Sequence, residues 1–247
     1  MQKIAVVTGG TRGIGRATTL KLARSGFKVL ALYGRNRKAA NEVLEIAQKE
    51  DLNIHCIRGD LTKDFSFNEI LRTIKDEAPQ IDCIVHSAAS GVHRNAMDIS
   101  LKHLRFTFEI NVFAIHNLLI HLCERMPDGS SIVGLTSAGG TRAMEHYAAV
   151  GSSKGALESL FRHYARELSP RGISVNLICP GLVMTEAVEA FVDKEKRVEI
   201  SLQRTPTGKI TTVEDVAELV HFFATSPAAR QIQGQTIVMD GGLTLMT

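Results

Sequence analysis

The chain has 247 residues, of which 44% are hydrophobic and 22% are charged. These proportions are typical of a soluble globular protein, and the length is within the range of a single α/β domain. The formal net charge of +3 is too small to indicate a nucleic-acid-binding protein. No apolar run reaches the roughly 18 residues that a membrane-spanning helix needs. We therefore expect one domain, 1–247, that binds neither nucleic acid nor a membrane.

The N-terminal residues bear on the cellular location of the protein, and the cysteines and histidines bear on metal binding. A predicted strand begins almost at the N-terminus, where a signal peptide would have an apolar region, so we expect a cytoplasmic protein. The four cysteines are far apart and form neither a C-x-x-C nor a metal-ligand pattern, which favours reduced thiols. The nine histidines include no H-E-x-x-H pattern. We predict no metal site.

A glycine-rich turn follows the first predicted strand, 4–7. Glycines at three positions of this turn permit close approach of the backbone to a ligand, and a predicted helix begins directly after them. The N-terminus of such a helix offers free N–H groups and a positive dipole end to a pyrophosphate. A second predicted strand, 27–33, completes a strand–helix–strand unit. We predict a dinucleotide site that includes Gly9, Thr11, Arg12, Gly13, Ile14 and Gly15.

The end of the second strand predicts which dinucleotide is bound. Sites for NAD usually present a carboxylate there to the ribose 2′-hydroxyl, but residues 30–37 include no acidic side chain. Arg12 and Arg35 can instead pair with a 2′-phosphate, because guanidinium forks fit phosphate oxygens. The alternative is that both are solvated surface arginines. We predict NADPH as the cofactor.

Two later segments follow predicted strands at the edge where parallel sheets bind ligands. Asp60 and Leu61 lie just beyond the strand 54–58 and are placed to contact an adenine, although Asp60 could equally be an ordinary helix N-cap. Small residues follow the strand 81–85, where the backbone must pass close to a nucleotide: Ser87, Ala88 and Ala89.

The segment 137–154 brings a hydroxyl, a phenol and an amine together. Ser137 ends the predicted strand 131–137, and Tyr147 and Lys154 are seven residues apart, so that both can lie on one helix face. A lysine near a tyrosine lowers the pKa of the phenol, which would make Tyr147 a proton donor near neutral pH. The alternative is an amphipathic helix with a solvated lysine and a core tyrosine.

Two further features bear on the site. Asn111 lies inside the predicted helix 101–126, where asparagine is mildly unfavourable. A kink and a water relay to Lys154 would be a functional reason for it, and an exposed asparagine is the alternative. Residues 183–210 are densely charged and weakly periodic, which favours a lid over the substrate, with a decorative pair of surface helices as the alternative.

Predicted strands and helices alternate, which indicates a doubly wound (Rossmann) sheet of about seven parallel strands with helices on both faces. Over its full length the chain resembles the short-chain dehydrogenase/reductase family. The matching landmarks are Thr8-Gly9-x-x-x-Gly13-x-Gly15, Asp60, Ala88-Ala89, Asn111, Ser137, Lys154, Pro180-Gly181 and Asp240-Gly241-Gly242. The resemblance implies a cofactor site that also includes Pro180, Gly181 and Val183, and a homotetramer.

The chain departs from the family's usual Tyr-x-x-x-Lys motif, because Val150 stands where the tyrosine is expected. The spacing of Tyr147 and Lys154 is instead similar to that of enoyl-acyl-carrier-protein reductases. Among these the type III enzymes (FabL) keep the glycine-rich motif seen here. They also share segments similar to Ala88-Ala89-Ser90-Gly91-Val92 and Thr205-Pro206-x-Gly208. A second departure is His86-Ser87, where the family commonly has Asn-Asn.

This resemblance implies NADPH-dependent reduction of a trans-2-enoyl thioester on acyl carrier protein, in fatty-acid elongation. Tyr147 would donate to the enolate oxygen and Lys154 would hold the nicotinamide ribose, with Ser137 and Asn111 in support. The alternatives are 3-oxoacyl reduction in the same family and a dinucleotide-binding regulator without catalysis. Because carrier protein is acidic, we expect it to dock on a basic rim beside the lid, formed by Arg94, Lys194, Lys196, Arg197 and Arg204.

Overall fold

The computed structural model describes residues 2–186 and 194–245. Its centre is a parallel sheet of seven strands in the order β3-β2-β1-β4-β5-β6-β7. The strands are β1 (Ile4–Thr8), β2 (Lys28–Tyr33), β3 (Ile54–Arg58), β4 (Cys83–His86), β5 (Ser131–Leu135), β6 (Ser174–Pro180) and β7 (Thr236–Met239). The strand order reverses between β1 and β4, and a doubly wound sheet binds its ligand at such a reversal.

Helices cover both faces of the sheet. Along β1, Val6 belongs to one buried apolar cluster and Val7 to the other, as expected when successive side chains point to opposite faces. Phe161 packs in the first cluster and Leu22 in the second. The predicted fold class is therefore confirmed. The described α-helices are α1 (Gly13–Arg24), α2 (Arg37–Lys49), α3 (Asp64–Glu77), α4 (Leu101–Phe108), α5 (Ala114–Leu122), α6 (Ala148–Leu168), α7 (Lys194–Arg204) and α8 (Val213–Thr225).

The largest departures from the predicted bounds occur next to the candidate site. The strand predicted over 131–137 ends at Leu135, because Ser137 already accepts a hydrogen bond from the backbone of Gly139 and begins a 3₁₀ turn. The helix predicted over 151–168 begins three residues earlier, at Ala148. Its N-cap residue is Tyr147, so the phenol is carried by the turn before the helix.

The helix predicted over 101–126 is continuous but not uniform. A π-helical turn, Glu109–Phe113, separates α4 from α5. The stretch Leu101–Arg125 is long enough and apolar enough to cross a membrane, since its 18-residue window has a mean hydropathy of 1.3. Its residues Ile115, Leu118 and Leu122 are buried in the core cluster against the sheet. Packing inside this fold therefore accounts for its apolar character.

The two ends of the predicted lid meet at the ligand edge of the sheet. Val183 forms an isolated parallel bridge with Thr211. Between them lies α7, and residues 187–193 of the predicted lid lie outside the described residues. After the bridge, Thr212 begins α8 with a capping box that it shares with Asp215.

Candidate active site

The glycine-rich turn has the shape of a dinucleotide cradle. A Cβ placed on Gly15 would lie 2.2 Å from the carbonyl oxygen of Gly9, and one on Gly9 would lie 3.0 Å from the backbone nitrogen of Ala88. Gly9 also has a φ of +66°, which side chains rarely adopt. Arg12 precedes α1 without a side-chain hydrogen bond to the helix start, so the first N–H groups are open to an anion. The residues present therefore fit a pyrophosphate.

Asp60 and Arg35 lie at the predicted adenine side of the cradle. The Asp60 carboxylate accepts hydrogen bonds from the backbone N and the Oγ1 of Thr62, at 3.0 and 2.7 Å. Burial raises the pKa of Asp60, but these bonds and the charges of Lys63 and Arg35 outweigh it, so the pKa lies below its usual value. The N-cap of α3 is Lys63, so the helix-cap alternative for Asp60 is wrong. Leu61 packs against the core beside it.

The segment after β4 lies between the glycine-rich turn and the π turn. The Ala88 nitrogen donates to Thr8 Oγ1 at 3.0 Å, and the Ser90 nitrogen donates to Asn111 Oδ1 at 2.9 Å. The Ser87 hydroxyl lies 3.1 Å from where a Cβ on Gly15 would be. The structure therefore brings the small residues after β4 to the turn that they are predicted to accompany.

The segment after β6 closes the same edge of the sheet. The Gly181 nitrogen donates to the carbonyl of Met239, and a Cβ on Gly181 would lie 3.0 Å from Asp240 Cβ. Pro180 ends β6, and Val183 is buried two residues after Gly181. The predicted cofactor residues after β1, β4 and β6 thus lie along one edge, at the carboxyl ends of the strands.

Asn111 is buried in the π turn and has no exposed surface. Its Oδ1 accepts from Ser90, and its Nδ2 donates to Ser153 Oγ at 2.9 Å. Ser153 directly precedes Lys154 on α6. The π turn interrupts the regular α-helix at Asn111, and the alternative of an exposed asparagine is wrong. The kink and the water relay to Lys154 stay predictions.

Lys154 is buried and only 5% exposed, so the alternative of a solvated lysine is wrong. Its Nζ donates to the carbonyl oxygen of Leu135 at 2.8 Å, at the end of β5. Burial lowers the pKa of Lys154 to about 8, and the nearby carboxylate of Glu158 opposes this shift. At neutral pH the ammonium group is therefore present inside the site.

Tyr147 is half-buried, and its phenol lies beside the Ser137 side chain. Burial raises the pKa of the phenol above its usual value, although the neighbouring Ser137 hydroxyl lowers it. The prediction that Lys154 lowers the pKa of Tyr147 is therefore wrong. The physical reason is that burial penalises the phenolate, while the ammonium group of Lys154 is held at Leu135. The phenol keeps its proton at neutral pH.

Two glycines leave room for the segment that contains Tyr147 and Val150. No local sequence pattern connects these glycines with Tyr147. A Cβ on Gly139 would lie 2.5 Å from Tyr147 Cδ1, so the ring packs directly on the backbone there. A Cβ on Gly91 would lie 2.3 Å from Val150 Cγ2, and Val150 is buried. His146, before the tyrosine, has a φ of +56°. The sequence shows Gly139 next to Gly140, but it does not show that the ring of Tyr147 packs against Gly139.

A cavity of about 370 Å³ opens beside the phenol. Its lining includes Tyr147, Gly139, Met144, Ser152 and Arg94. A phenol that keeps its proton therefore borders this cavity, and the buried Lys154 follows two residues after Ser152 of the lining. This arrangement can donate a proton to a substrate that receives hydride from a nicotinamide.

A family model described as enoyl-(acyl carrier protein) reductase matches residues 9–244. The chain belongs to the short-chain dehydrogenase/reductase family. It is therefore an oxidoreductase of that family. The 1-cyclohexenylcarbonyl-CoA reductase of Streptomyces collinus is 29% identical over 247 residues, which cover 99% of this chain and 88% of that protein. The 3-oxoacyl-[acyl-carrier-protein] reductase of a Synechocystis strain is 29% identical over 248 residues, covering 98% and 97%.

Solved structures agree with this assignment. A double mutant of a Serratia marcescens short-chain dehydrogenase/reductase superposes with a TM-score of 0.89 at 27% identity, over 98% of each chain. A short-chain dehydrogenase of Burkholderia cenocepacia in complex with NADP gives a TM-score of 0.86 at 27% identity, also over 98% of each chain.

Proposed function

We propose that this short-chain dehydrogenase/reductase reduces trans-2-enoyl thioesters of acyl carrier protein with NADPH, in fatty-acid elongation. The observation that carries the proposal is the position of the phenol. Tyr147 lines the cavity beside Ser137, whereas Val150, at the position of the family's usual tyrosine, is buried. This arrangement is the one that resembles the type III enoyl-acyl-carrier-protein reductases (FabL).

The chemistry of the two candidate reductions explains why a displaced phenol favours enoyl substrates. In carbonyl reduction the hydride goes to the carbonyl carbon and the proton to the oxygen attached to it. In enoyl-thioester reduction the hydride goes to the β-carbon, while negative charge develops on the thioester oxygen several bonds away. Tyr147 stands three residues before position 150, at the N-cap of α6. A phenol displaced in this way suits the longer separation between hydride acceptor and oxyanion.

Each polar residue has a role in this reaction. Tyr147 donates its proton, which burial keeps on the phenol, to the enolate oxygen. Ser137, which lies beside the phenol, orients it. Lys154 holds the nicotinamide ribose and supplies positive charge near the developing oxyanion. Asn111 positions the segment before Lys154 through Ser153. When bound, the nicotinamide cofactor supplies the hydride.

Three observations support NADPH as the cofactor. The glycine-rich cradle fits a pyrophosphate, and the segment after β2 has no carboxylate for a ribose 2′-hydroxyl. Arg12 and Arg35 are exposed where a 2′-phosphate would need guanidinium groups. The structural relative from Burkholderia cenocepacia is described in complex with NADP.

The test of the proposed function is NADPH oxidation with crotonyl and acetoacetyl thioesters. We expect turnover of the crotonyl thioester, and a loss of about 10²- to 10⁴-fold in the Tyr147→Phe variant, as for removal of a general acid. Tyr164→Phe is the matched control, since it removes a phenol that bonds to His116 outside the cavity. Binding of NADPH without oxidation in the presence of either thioester would instead support a regulator.

A 3-oxoacyl thioester is the second candidate substrate. It is favoured by the similarity to the Synechocystis 3-oxoacyl-[acyl-carrier-protein] reductase, which extends over almost the whole of both chains. Turnover of acetoacetyl but not crotonyl thioester would support this function and refute enoyl reduction. The Streptomyces relative is named for a coenzyme A thioester whose carbonyl is attached to an alkene, which favours the enoyl substrate.

Acyl carrier protein is the proposed partner. Of the basic residues predicted to form its docking rim, Arg94 is exposed and lines the cavity, and Arg204 is exposed at the end of α7. The helical backbone of α7 also includes Lys194, Lys196 and Arg197. The cytoplasmic location and the homotetramer remain predictions.

Charge reversal tests this docking rim. Arg94→Glu combined with Arg204→Glu should raise KM for a crotonyl carrier protein about tenfold and leave KM for a small neutral crotonyl thioester almost unchanged. Arg72→Glu, an exposed reversal on α3, is the control. Equal effects on both substrates would remove the rim from the proposal.

A further inference from the structure

His86 is the last residue of β4, and its side chain is only 1% exposed. Its ring lies between two elements of the site that are distant in sequence. Nδ1 is 3.0 Å from Thr8 Oγ1 at the end of β1, and Nε2 is 3.2 Å from the backbone oxygen of Asn111 in the π turn. The imidazole therefore bridges the cofactor edge of the sheet and the helix that carries Asn111.

These two partners determine where the proton of the ring lies. A backbone carbonyl can only accept, so Nε2 must carry the proton and donate to Asn111. In the neutral ring Nδ1 is then an acceptor, and the Thr8 hydroxyl donates to it while accepting from the nitrogen of Ala88. Burial and the nearby charge of Lys154 lower the pKa of His86 to about 3, so the ring is neutral near neutral pH.

The bonds continue from the ring in both directions. On one side, Thr8 holds the nitrogen of Ala88 in the predicted cofactor segment. On the other side, Asn111 accepts from Ser90 and donates to Ser153, the residue before Lys154. His86 thus closes a hydrogen-bonded path from the cofactor segment through the π turn to α6.

We propose that His86 is a positioning residue for the reaction. Its neutral ring, with the proton on Nε2, fixes the carbonyl of Asn111 and thereby the placement of the π turn relative to Lys154. The family commonly has asparagine at this position, and an asparagine amide reaches only as far as Nδ1 of a histidine. The bond to the Asn111 carbonyl is therefore a property of this chain. The proposal holds for an enoyl and for a 3-oxoacyl substrate alike.

A pair of amide variants separates positioning from general packing. The amide nitrogen of glutamine lies near the place of histidine Nε2 and can donate to the Asn111 carbonyl. The amide of asparagine is one methylene shorter and can reach only Thr8. His86→Gln therefore keeps the bond that the proposal requires, and His86→Asn loses it. His163→Asn, an exposed histidine on the same helix as Lys154, is the matched control.

The measurement is kcat and the KM for NADPH, with whichever of crotonyl and acetoacetyl thioester the wild type reduces, together with Tm. We expect His86→Asn to lose about tenfold in kcat, the size of one buried hydrogen bond. His86→Gln should keep at least about a third of the wild-type kcat. The two variants should have similar Tm values, and the KM for NADPH should change less than kcat. Equal kcat values for the two variants, or wild-type kcat in His86→Asn, would overturn the proposal.

A second measurement needs neither a folded variant nor the proposed function. Imidazole ¹⁵N NMR of the wild-type protein at neutral pH should show His86 as a neutral ring with Nε2 protonated and Nδ1 bare. The Nδ1–H tautomer or an imidazolium would overturn the proposal. If the wild type reduces neither thioester, the proposed function fails while this measurement still decides the role of His86.

Discussion

The glycine-rich turn keeps the residue pattern of the family, whereas the segment between β5 and α6 departs from it. In the turn, Gly9 and Gly15 stand at the positions of the family pattern, and their contacts leave no room for a Cβ. In the second segment the phenol has moved to Tyr147, and Gly139 gives it the space it needs. A cofactor of constant size would constrain the turn, whereas the proposed proton donor can move when the residues packed against it change with it.

The largest expected effect outside the phenol itself comes from Gly139→Ala. The new methyl group would lie 2.5 Å from Tyr147 Cδ1 and would displace the ring. We expect kcat to fall about 100-fold, as for a misplacement of about 1 Å, with NADPH affinity unchanged. Steady-state kinetics and NADPH fluorescence titration measure the two effects.

Gly34→Ala is the control for this experiment. Its added Cβ would meet open space, and it follows β2 on the cofactor side of the sheet. The control should behave as the wild type within about twofold. If Gly139→Ala also behaved as the wild type, the position of the phenol would not depend on the space at Gly139. The proposed difference between the two regions would then be wrong.

A smaller effect is expected from Gly91→Ala, and a second substitution at Val150 should restore activity and stability. Its Cβ would lie 2.3 Å from Val150 Cγ2, so the loop and the start of α6 would be pushed apart. Overpacking of this kind costs about 1–3 kcal/mol, and we expect roughly a tenfold loss of kcat and a lower Tm. In the double variant Gly91→Ala/Val150→Ala the extra volume is removed again, and both values should recover. A double variant worse than Gly91→Ala would show that Val150 matters for another reason.

The cofactor side can be tested through its two arginines. Arg12→Ala and Arg35→Ala should each raise the KM for NADPH about tenfold and leave the KM for NADH nearly unchanged, because each removes a charge-assisted bond to the 2′-phosphate. Arg72→Ala on α3 is the control. Parallel changes for NADPH and NADH would mean that the arginines are solvated surface residues.

The last prediction about activity concerns pH, which should have little effect near neutrality. Lys154, which faces Glu158 on its own helix and Cys179 on β6, has a pKa lowered to about 8 by burial. We expect kcat/KM for NADPH to be level below this pH and to fall about tenfold per pH unit above it. Lys154→Arg should lose this dependence, since arginine stays charged. If kcat/KM still fell at alkaline pH in that variant, a group other than Lys154 would be responsible for the fall.

The lowered pKa of Lys154 also makes the free energy of unfolding depend on pH, in a direction that can be worked out. The pKa of Lys154 falls from its ordinary value of 10.5 to about 8 in the folded protein, so between these values the unfolded chain binds more protons than the folded one. The contribution of this group to the free energy of unfolding therefore rises with pH across that window. Lys154→Met should remove this rise, and chemical denaturation at pH values across the window measures it.

By itself, the sequence determined the order of strands and helices, the glycine-rich cradle and the absence of a tyrosine at position 150. These features depend on local periodicity and on residue types at short spacing. The tertiary structure decided that Asn111 lies in a π turn, that Tyr147 precedes α6 and that the pKa of its phenol is raised. It also decided the bonds of His86, whose partners are 78 and 25 residues away. Burial and long-range contacts set these properties, and no local pattern records them.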